Sequence, residues 1–393
     1  MTGPLGGGAS ALAFEVLAED SGQTPTAARV GRLELRGAEL ETPVFMPVGT
    51  QASVKSQTPA EVIETGSQLI LANTYHLMLR PGAELVHDLG GVQRFMAWPH
   101  AVLTDSGGYQ VFSLAELRKL DDDGVVFRSH IDGSPQALSP ERSMEVQRLL
   151  GSNIAMVLDE CPPGQADRAT VARAVERTTR WAERCLATTP AEGQARFGIV
   201  QGGSFLDLRR QHLATLASMP FEGIALGGFS VGEAMSVTYE LLGELGASMP
   251  RDRPRYLMGV GKPIDLLRAI GAGIDMFDCV LPTRNARNGQ ALTWNGRVNL
   301  KQSRHRKASE PIDAECPCPV CRTFSRAYLR HLFAAGEMLG PRLLTQHNLF
   351  FYQALTRAAR VAIREQRYAA FAREAEERMI ALDEVKTAKG SGA

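Results

Sequence analysis

The sequence predicts an α/β protein: a parallel (β/α)8 barrel with a metal-binding subdomain inserted around its eighth unit. Three observations predict it. Eight short apolar runs recur along the chain, most of them followed by a segment with helical spacing. Those runs close on polar residues or glycines, as strands do when their ends build a site. After the eighth run the repeat stops, and three closely spaced cysteines follow.

The first two runs, "PVFMPVG" (43–49) and "QLILAN" (68–73), are almost unbroken in apolar character. The third, "AVLTDSG" (101–107), closes on Asp105. The segment "RSHIDGSPQALSPERSMEVQ" (128–147) does not fit the repeat; its IDGS reads as a hairpin turn, so a small β excursion is expected there. "IAMVLDE" (154–160) resumes the pattern. In the following "ATVARAVERTTRWAERCL", Val171, Val175, Trp181 and Leu186 fall roughly on one side of a helix. "FGIVQGG" (197–203), "GIALGG" (223–228) and "RYLMGVG" (255–261) come next, and "KPIDLLRAIGAG" then reads as a helix ending at a glycine stop. The eighth run, "MFDCVLP" (276–282), holds Asp278 inside an apolar row. "ALTWNGRVNL" then reads as a hairpin with Asn295–Gly296 at its turn. A doubly wound open sheet is the rival fold, but no GxGxxG opens a strand–helix unit.

The chain of 393 residues is 44% hydrophobic and 22% charged, enough apolar material for a large core. Lys+Arg and Asp+Glu both total 43, so net charge points to no partner. Distribution does. From Thr283 to Lys307 the charged residues are Arg284, Arg287, Arg297, Lys301, Arg304, Arg306 and Lys307, with no acid among them. That is a local anion-binding face, since an ordinary solvated run mixes both signs. No apolar run approaches the ~20 residues of a membrane span. The N-terminus lacks the basic start and apolar core of a secretory signal, so a cytoplasmic protein is expected. Residues 1–12 and 384–393 read as frayed ends, 13–300 as the barrel, and 301–383 as a helical subdomain closing it.

Cys316, Cys318 and Cys321 lie in "ECPCPVCR". A fourth ligand is at hand in either His347 or His331, which spacing alone does not separate. Three thiolates and an imidazole suit tetrahedral Zn²⁺, and four protein ligands leave no open position, so the metal is expected to be structural. The remaining cysteines are isolated, which is not a disulfide framework.

The runs end at Asn73, Asp105, Asp159, Gln201, Gly227–Gly228 and Gly259, with Asp278 slightly inside its run. In a barrel all of these meet at one mouth. One such Asp is often a helix N-cap; several together make a site.

The motifs "ANTYHLMLRPG", "TDSGGYQVFSL", "DEC", "VQGG", "ALGGFSVGE", "LMGVGKP", "MFDCVLPTRNARNGQ" and CxCxxC with a distant His together resemble the bacterial tRNA-guanine transglycosylases, also called queuine tRNA-ribosyltransferases. The resemblance covers roughly residues 12 to 383 and shows no departure at a position assigned to chemistry. It implies a zinc-containing TIM barrel, one structural Zn²⁺ per subunit, working as a homodimer. Such enzymes replace the wobble guanine of G-U-N anticodons in tRNA with 7-aminomethyl-7-deazaguanine, a step towards queuosine. By resemblance, Asp278 is the nucleophile and Asp105 the proton acceptor. The base pocket is implied at Asp105, Ser106, Gly107, Gly108, Tyr109, Asp159, Cys161, Gln201, Gly227, Gly228, Val231, Met258 and Gly259. RNA contacts are implied at Gly259, Val260, Gly261, Lys262, Pro263, Ile264, Asp265, Thr283, Arg284, Asn285, Ala286 and Arg287. The metal ligands match Cys316, Cys318, Cys321 and His347.

The chemistry of the residues agrees. A carboxylate nucleophile can hold a ribose while one base leaves and another enters, as in retaining glycosidases. A second carboxylate can take the proton that the incoming base must lose. Two other classes compete: a zinc-stabilised RNA-binding module without catalysis, against which the paired Asp105 and Asp278 argue, and a metal-dependent barrel hydrolase, which would need histidines at the strand ends.

Overall fold

A computed structural model describes residues 11–114, 118–229 and 231–388. Of the ends expected to fray, residues 1–10 and 389–393 lie outside those described. A strand begins at Leu12, and the last helix is Tyr368–Ala388.

Three N-terminal strands, β1 (Leu12–Glu19), β2 (Arg29–Leu35) and β3 (Ala38–Thr42), form an antiparallel sheet that the run-by-run reading passed over. In β1 exposure alternates along the strand, and Glu15 breaks its apolar residues into short pieces. A two-residue loop joins β2 to β3, pairing Leu35 with Ala38, and Gly37 takes φ +73° there.

The barrel strands are β4 (Val44–Pro47), β5 (Leu69–Ala72) and β6 (Ala101–Thr104). A three-stranded excursion follows: β7 (Arg118–Leu120), β8 (Val125–Arg128) and β9 (Pro135–Leu138). The barrel then continues with β10 (Ile154–Met156), β11 (Ala195–Val200), β12 (Gly223–Leu226), β13 (Arg255–Leu257) and β14 (Met276–Cys279). All eight predicted runs are strands, paired parallel in chain order, with β14 returning to β4. A parallel bridge between Val48 and Leu71 brings the first strand to the second, and the Gly49 N–H donates to Leu71 O at 2.6 Å. This is the predicted TIM-type barrel.

The helices follow their patterns. In Arg168–Ala187 the Asp167 side chain caps the Thr170 N–H, and Val171, Val175 and Trp181 are buried. The helix Pro263–Gly271 ends before Gly273, which has φ +90°. After β14 comes a short helix, Leu281–Arg287, then the predicted hairpin β15 (Gln290–Thr293) and β16 (Gly296–Asn299). Gly296 pairs with Thr293 and takes φ +80°, so Trp294 and Asn295 are the loop residues.

The long helix Leu339–Arg364 is shared by two cores. Leu344 packs with the cysteine segment, while Leu349, Tyr352 and Leu355 pack into the barrel. The Gln353 Nε2 donates to Phe45 O on β4 at 2.9 Å, and the Tyr352 ring lies 4.3 Å from that of Phe45. This helix therefore closes the barrel wall, with the cysteine subdomain spliced in ahead of it.

At the opposite end from the site, Arg29 on β2 makes a bidentate pair with Asp275, at 3.0 and 2.6 Å. Both side chains are buried, and Asp275 also accepts from the Arg255 N–H at 2.7 Å. Arg29→Ala should lower stability by roughly 3–5 kcal/mol, because it leaves a buried carboxylate uncompensated. Urea unfolding measures this; a loss below about 1 kcal/mol, as for an exposed pair, would contradict the reading.

Candidate active site

The strand ends meet around one cavity of about 470 Å³. Asn73, Asp105, Ser106, Tyr109, Asp159, Cys161, Gln201, Gly227, Gly228, Val231, Met258, Gly259 and Asp278 all line it. So does Arg284, from the helix that follows β14.

Asp278 lies in β14, between Phe277 and Cys279. Its Oδ1 accepts from the Tyr256 hydroxyl at 2.6 Å and from the Gly259 N–H at 2.7 Å. Among the described residues, nothing donates to its Oδ2. Burial raises its pKa, and the two donors act in the opposite direction.

Asp105 follows β6. It accepts from the Asn73 side chain, from the Thr74 N–H at 2.8 Å and from Gln110 Nε2 at 2.8 Å. Burial pushes its pKa up to about 6; its donors lower it, and the charge of Asp278 adds to the rise. Asp159 accepts from Ser106 Oγ at 3.2 Å and from Gln201 Nε2 at 2.7 Å, and burial pushes it to about 6 as well. Gln201 Oε1 is buried with no partner among the described residues, so an acceptor remains beside Asp159. The Cys161 thiol is pushed up to about 12 by burial, which makes it a packing group and not a thiolate.

Gly107 and Gly108 do not line the cavity. They let the chain pass close behind it: a Cβ on Gly108 would lie 2.9 Å from Asp159 O, and Gly107 has φ +81°. Tyr109 stands at the rim, 54% exposed.

The two segments implied for RNA divide by exposure. Gly259, Lys262, Arg284 and Arg287 are exposed, and Pro263, Ile264 and Asn285 half-buried. Val260, Gly261, Asp265, Thr283 and Ala286 are buried. A Cβ on Gly261 would meet Cys279 at 2.1 Å, and Asp265 accepts from the Tyr239 hydroxyl at 2.5 Å. These buried residues shape the loops from inside. Arg297, Lys301, Arg304, Arg306 and Lys307 are all exposed.

The cysteine cluster resolves the choice of histidine. The Sγ atoms of Cys316, Cys318 and Cys321 lie 3.8, 3.5 and 3.4 Å from His347 Nδ1. All four ligand atoms fall within 4.8 Å of one another, whereas His331 is exposed elsewhere. The His347 Nε2–H donates to Leu292 O at 3.0 Å, which turns Nδ1 towards the sulfurs.

A sequence model of the queuine tRNA-ribosyltransferases matches residues 23–380. A queuine tRNA-ribosyltransferase of Sorangium cellulosum is 60% identical over 347 residues, 88% of each chain. One of Solidesulfovibrio magneticus is 56% identical over 89% of this chain and 94% of its own. One of Novosphingobium aromaticivorans is 53% identical over 88% of this chain and 94% of its own. The chain belongs to the queuine tRNA-ribosyltransferase family. It is therefore a glycosyltransferase of tRNA processing, of the base-exchange class that serves queuosine biosynthesis.

Several site residues of this transferase escaped the sequence reading. No role was assigned to Tyr256, Thr74 or Gln110, yet all three donate to the two central carboxylates. Arg209, buried on the helix Leu206–Ala217, was not singled out either.

Asn73→Ala removes a donor that lowers the Asp105 pKa, so Asp105 should titrate above its native value of about 6. Carboxyl-carbon NMR of labelled aspartate reads this directly. A native or lower value in the variant would contradict the assignment.

Proposed function

We propose that this protein exchanges the wobble guanine of G-U-N anticodons for 7-aminomethyl-7-deazaguanine by double displacement, with Asp278 as nucleophile and Asp105 as proton acceptor. The observation that supports it most is the asymmetry of Asp278: Oδ1 is held by Tyr256 and Gly259, which leaves Oδ2 for attack.

In the first step Oδ2 bonds to C1′ of the ribose and the C1′–N9 bond breaks, the electron pair leaving with guanine. In the second, N9 of the incoming base attacks C1′ from the opposite side and the Asp278–C1′ bond breaks. Two inversions restore the β configuration. Asp105 takes the N9 proton of the incoming base, and in the reverse direction delivers it. With a pKa near 6 it is ionised at neutral pH yet basic enough to accept. Asp159 accepts from the adjacent N–H and amino groups of a guanine-like base, and Tyr109 closes over the ring from the rim. The nucleotide must leave its stack to reach this depth. Lys262, Arg284 and Arg287, with the basic face beyond them, meet the neighbouring phosphates.

The cysteine cluster fits Zn²⁺. Tetrahedral zinc with ordinary bond lengths places sulfur and nitrogen ligands about 3.6 Å apart, and the three pairs lie at 3.4–3.8 Å. With four protein ligands the ion's role is structural. The reading extends to residues 13–300 as the catalytic barrel, 301–383 as the zinc-binding part, and a cytoplasmic homodimer, carried by family resemblance. No described helix is long and apolar enough to cross a membrane.

Asp278→Asn should abolish exchange and spare tRNA binding, since the amide has nearly the same shape but is a poor nucleophile. Denaturing gels should show a covalent RNA adduct for the native enzyme alone; an adduct in the variant would move the nucleophile elsewhere. Cys318→Ser should lower zinc content and melting temperature together, and full zinc occupancy with an unchanged melting curve would sink the ligand set.

Val231 and Cys161 both line the cavity, and the Val231 loop is tied down by Gly164 N–H donating to Val231 O at 3.3 Å and by Val231 N–H donating to Glu233 at 3.0 Å. A branched side chain on a fixed loop excludes bulk. The native enzyme should therefore take the small aminomethyl base over queuine by roughly tenfold to a hundredfold. Val231→Gly should narrow that gap when both bases compete against labelled guanine. Equal use of the two bases by native enzyme would refute this preference.

A further inference from the structure

Arg209 lies on the helix Leu206–Ala217 and is wholly buried behind the cavity. A buried guanidinium ordinarily faces a carboxylate, because leaving its charge unpaired in a low-dielectric site is costly. Among the described residues, none forms an ion pair with this one. Its donors go to three backbone carbonyls instead: Nε to Gly203 O at 2.6 Å, Nη1 to Gly227 O at 3.0 Å and Nη2 to Gly228 O at 3.2 Å. Its flat face rests on the Phe229 ring, 3.7 Å from the centroid. Burial lowers its pKa to about 9, which still leaves it cationic at neutral pH.

The carbonyls it holds decide what the next atoms do. In a trans peptide the C=O and the following N–H point in opposite directions. With the carbonyls of Gly227 and Gly228 drawn towards Arg209, the N–H groups of Gly228 and Phe229 point away from it. Gly227, Gly228 and Phe229 all line the cavity. The Gly227 N–H is taken by Val200 O at 3.0 Å, but among the described residues neither of the next two amides has an acceptor. Gly228 also needs its glycine: φ is +66°, and a Cβ would lie 2.4 Å from Gln201 Oε1.

We infer that Arg209 is a positioning residue: by turning two successive carbonyls out of the cavity, it presents two successive amide donors to an exocyclic oxygen of the bound base. The inference rests on the base-exchange reading. Asp159 meets the N–H and amino groups of a guanine-like edge, and the next group along that edge is the 6-oxo oxygen. Donors there favour a 6-oxopurine over a 6-aminopurine, whose amino group would meet them donor to donor.

Arg209→Lys keeps the buried charge but reaches fewer carbonyls, and Arg209→Met reaches none. In guanine exchange both variants should raise KM for guanine, about tenfold or more for the loss of the subsite. The KM for tRNA and the kcat at saturating base should stay near native. Native enzyme should bind guanine over 2,6-diaminopurine, and the variants should lose that preference. A purely structural role would lower the melting temperature and kcat without touching the guanine-to-diaminopurine ratio, and that result overturns the inference. If neither variant folds, native protein labelled with ¹⁵N-glycine decides: the Gly228 amide proton should move downfield on adding guanine, and an unmoved signal overturns it. Native enzyme that incorporates no guanine into tRNA would remove the base-exchange reading itself, whereas incorporation with unchanged variants removes only the role of Arg209.

Discussion

Two buried carboxylates, Asp105 and Asp159, and a half-buried third, Asp278, meet at one mouth without an ion-pair partner among the described residues, and the site is built around that constraint. Burial raises all three pKa values. Neutral donors act against the rise: Asn73, Thr74 and Gln110 on Asp105, Ser106 and Gln201 on Asp159, Tyr256 and Gly259 on Asp278. A lysine or arginine would lower the same pKa values more strongly, but a tight ion pair would also occupy the oxygen that, in the proposed exchange, attacks or accepts a proton. The cations are kept at the rim, where Arg284 and Arg287 are exposed to solvent and free to meet phosphate.

The long helix Leu339–Arg364 extends this order to the loops. His347 joins the cysteines and donates to Leu292 O. Asn348 donates to Pro282 O at 2.9 Å and to Gln290 O at 3.0 Å, and accepts from the Leu292 N–H at 2.9 Å. One turn further on, the Tyr352 hydroxyl donates to Gly261 O, beside Cys279. Successive residues of one helix thus fix the metal cluster, the segment bearing Arg284 and Arg287, and the loop bearing Gly259. A metal held by the cluster would add a further anchor to the N-terminal part of this helix, beside those hydrogen bonds.

Much of this was legible in the sequence, for physical reasons. Strands buried on both faces appear as apolar rows, and polar residues ending those rows show where the barrel opens, so all eight strands and the mouth could be read. β1 to β3 were missed because charged residues break each of these strands into short apolar pieces and leave no such row. The choice of His347 over His331 depended on which helix folds back against the cysteines, which spacing does not encode. Tyr256, Gln110 and Arg209 were invisible because their roles lie in what they hold, not in their own chemistry. The implied RNA segments contained both the residues that face outward and those, such as Gly261 and Asp265, that support them from within.

The central claim is that these carboxylates exchange a base at a retained ribose. The direct measurement is to incubate the protein with tRNA bearing a G-U-N anticodon and isotopically labelled guanine, then map the label by mass spectrometry of nuclease fragments. The account predicts label in the wobble nucleotide alone, with the phosphodiester chain intact and the β-nucleoside recovered. Label at another position, strand cleavage, or no incorporation despite tRNA binding would contradict it.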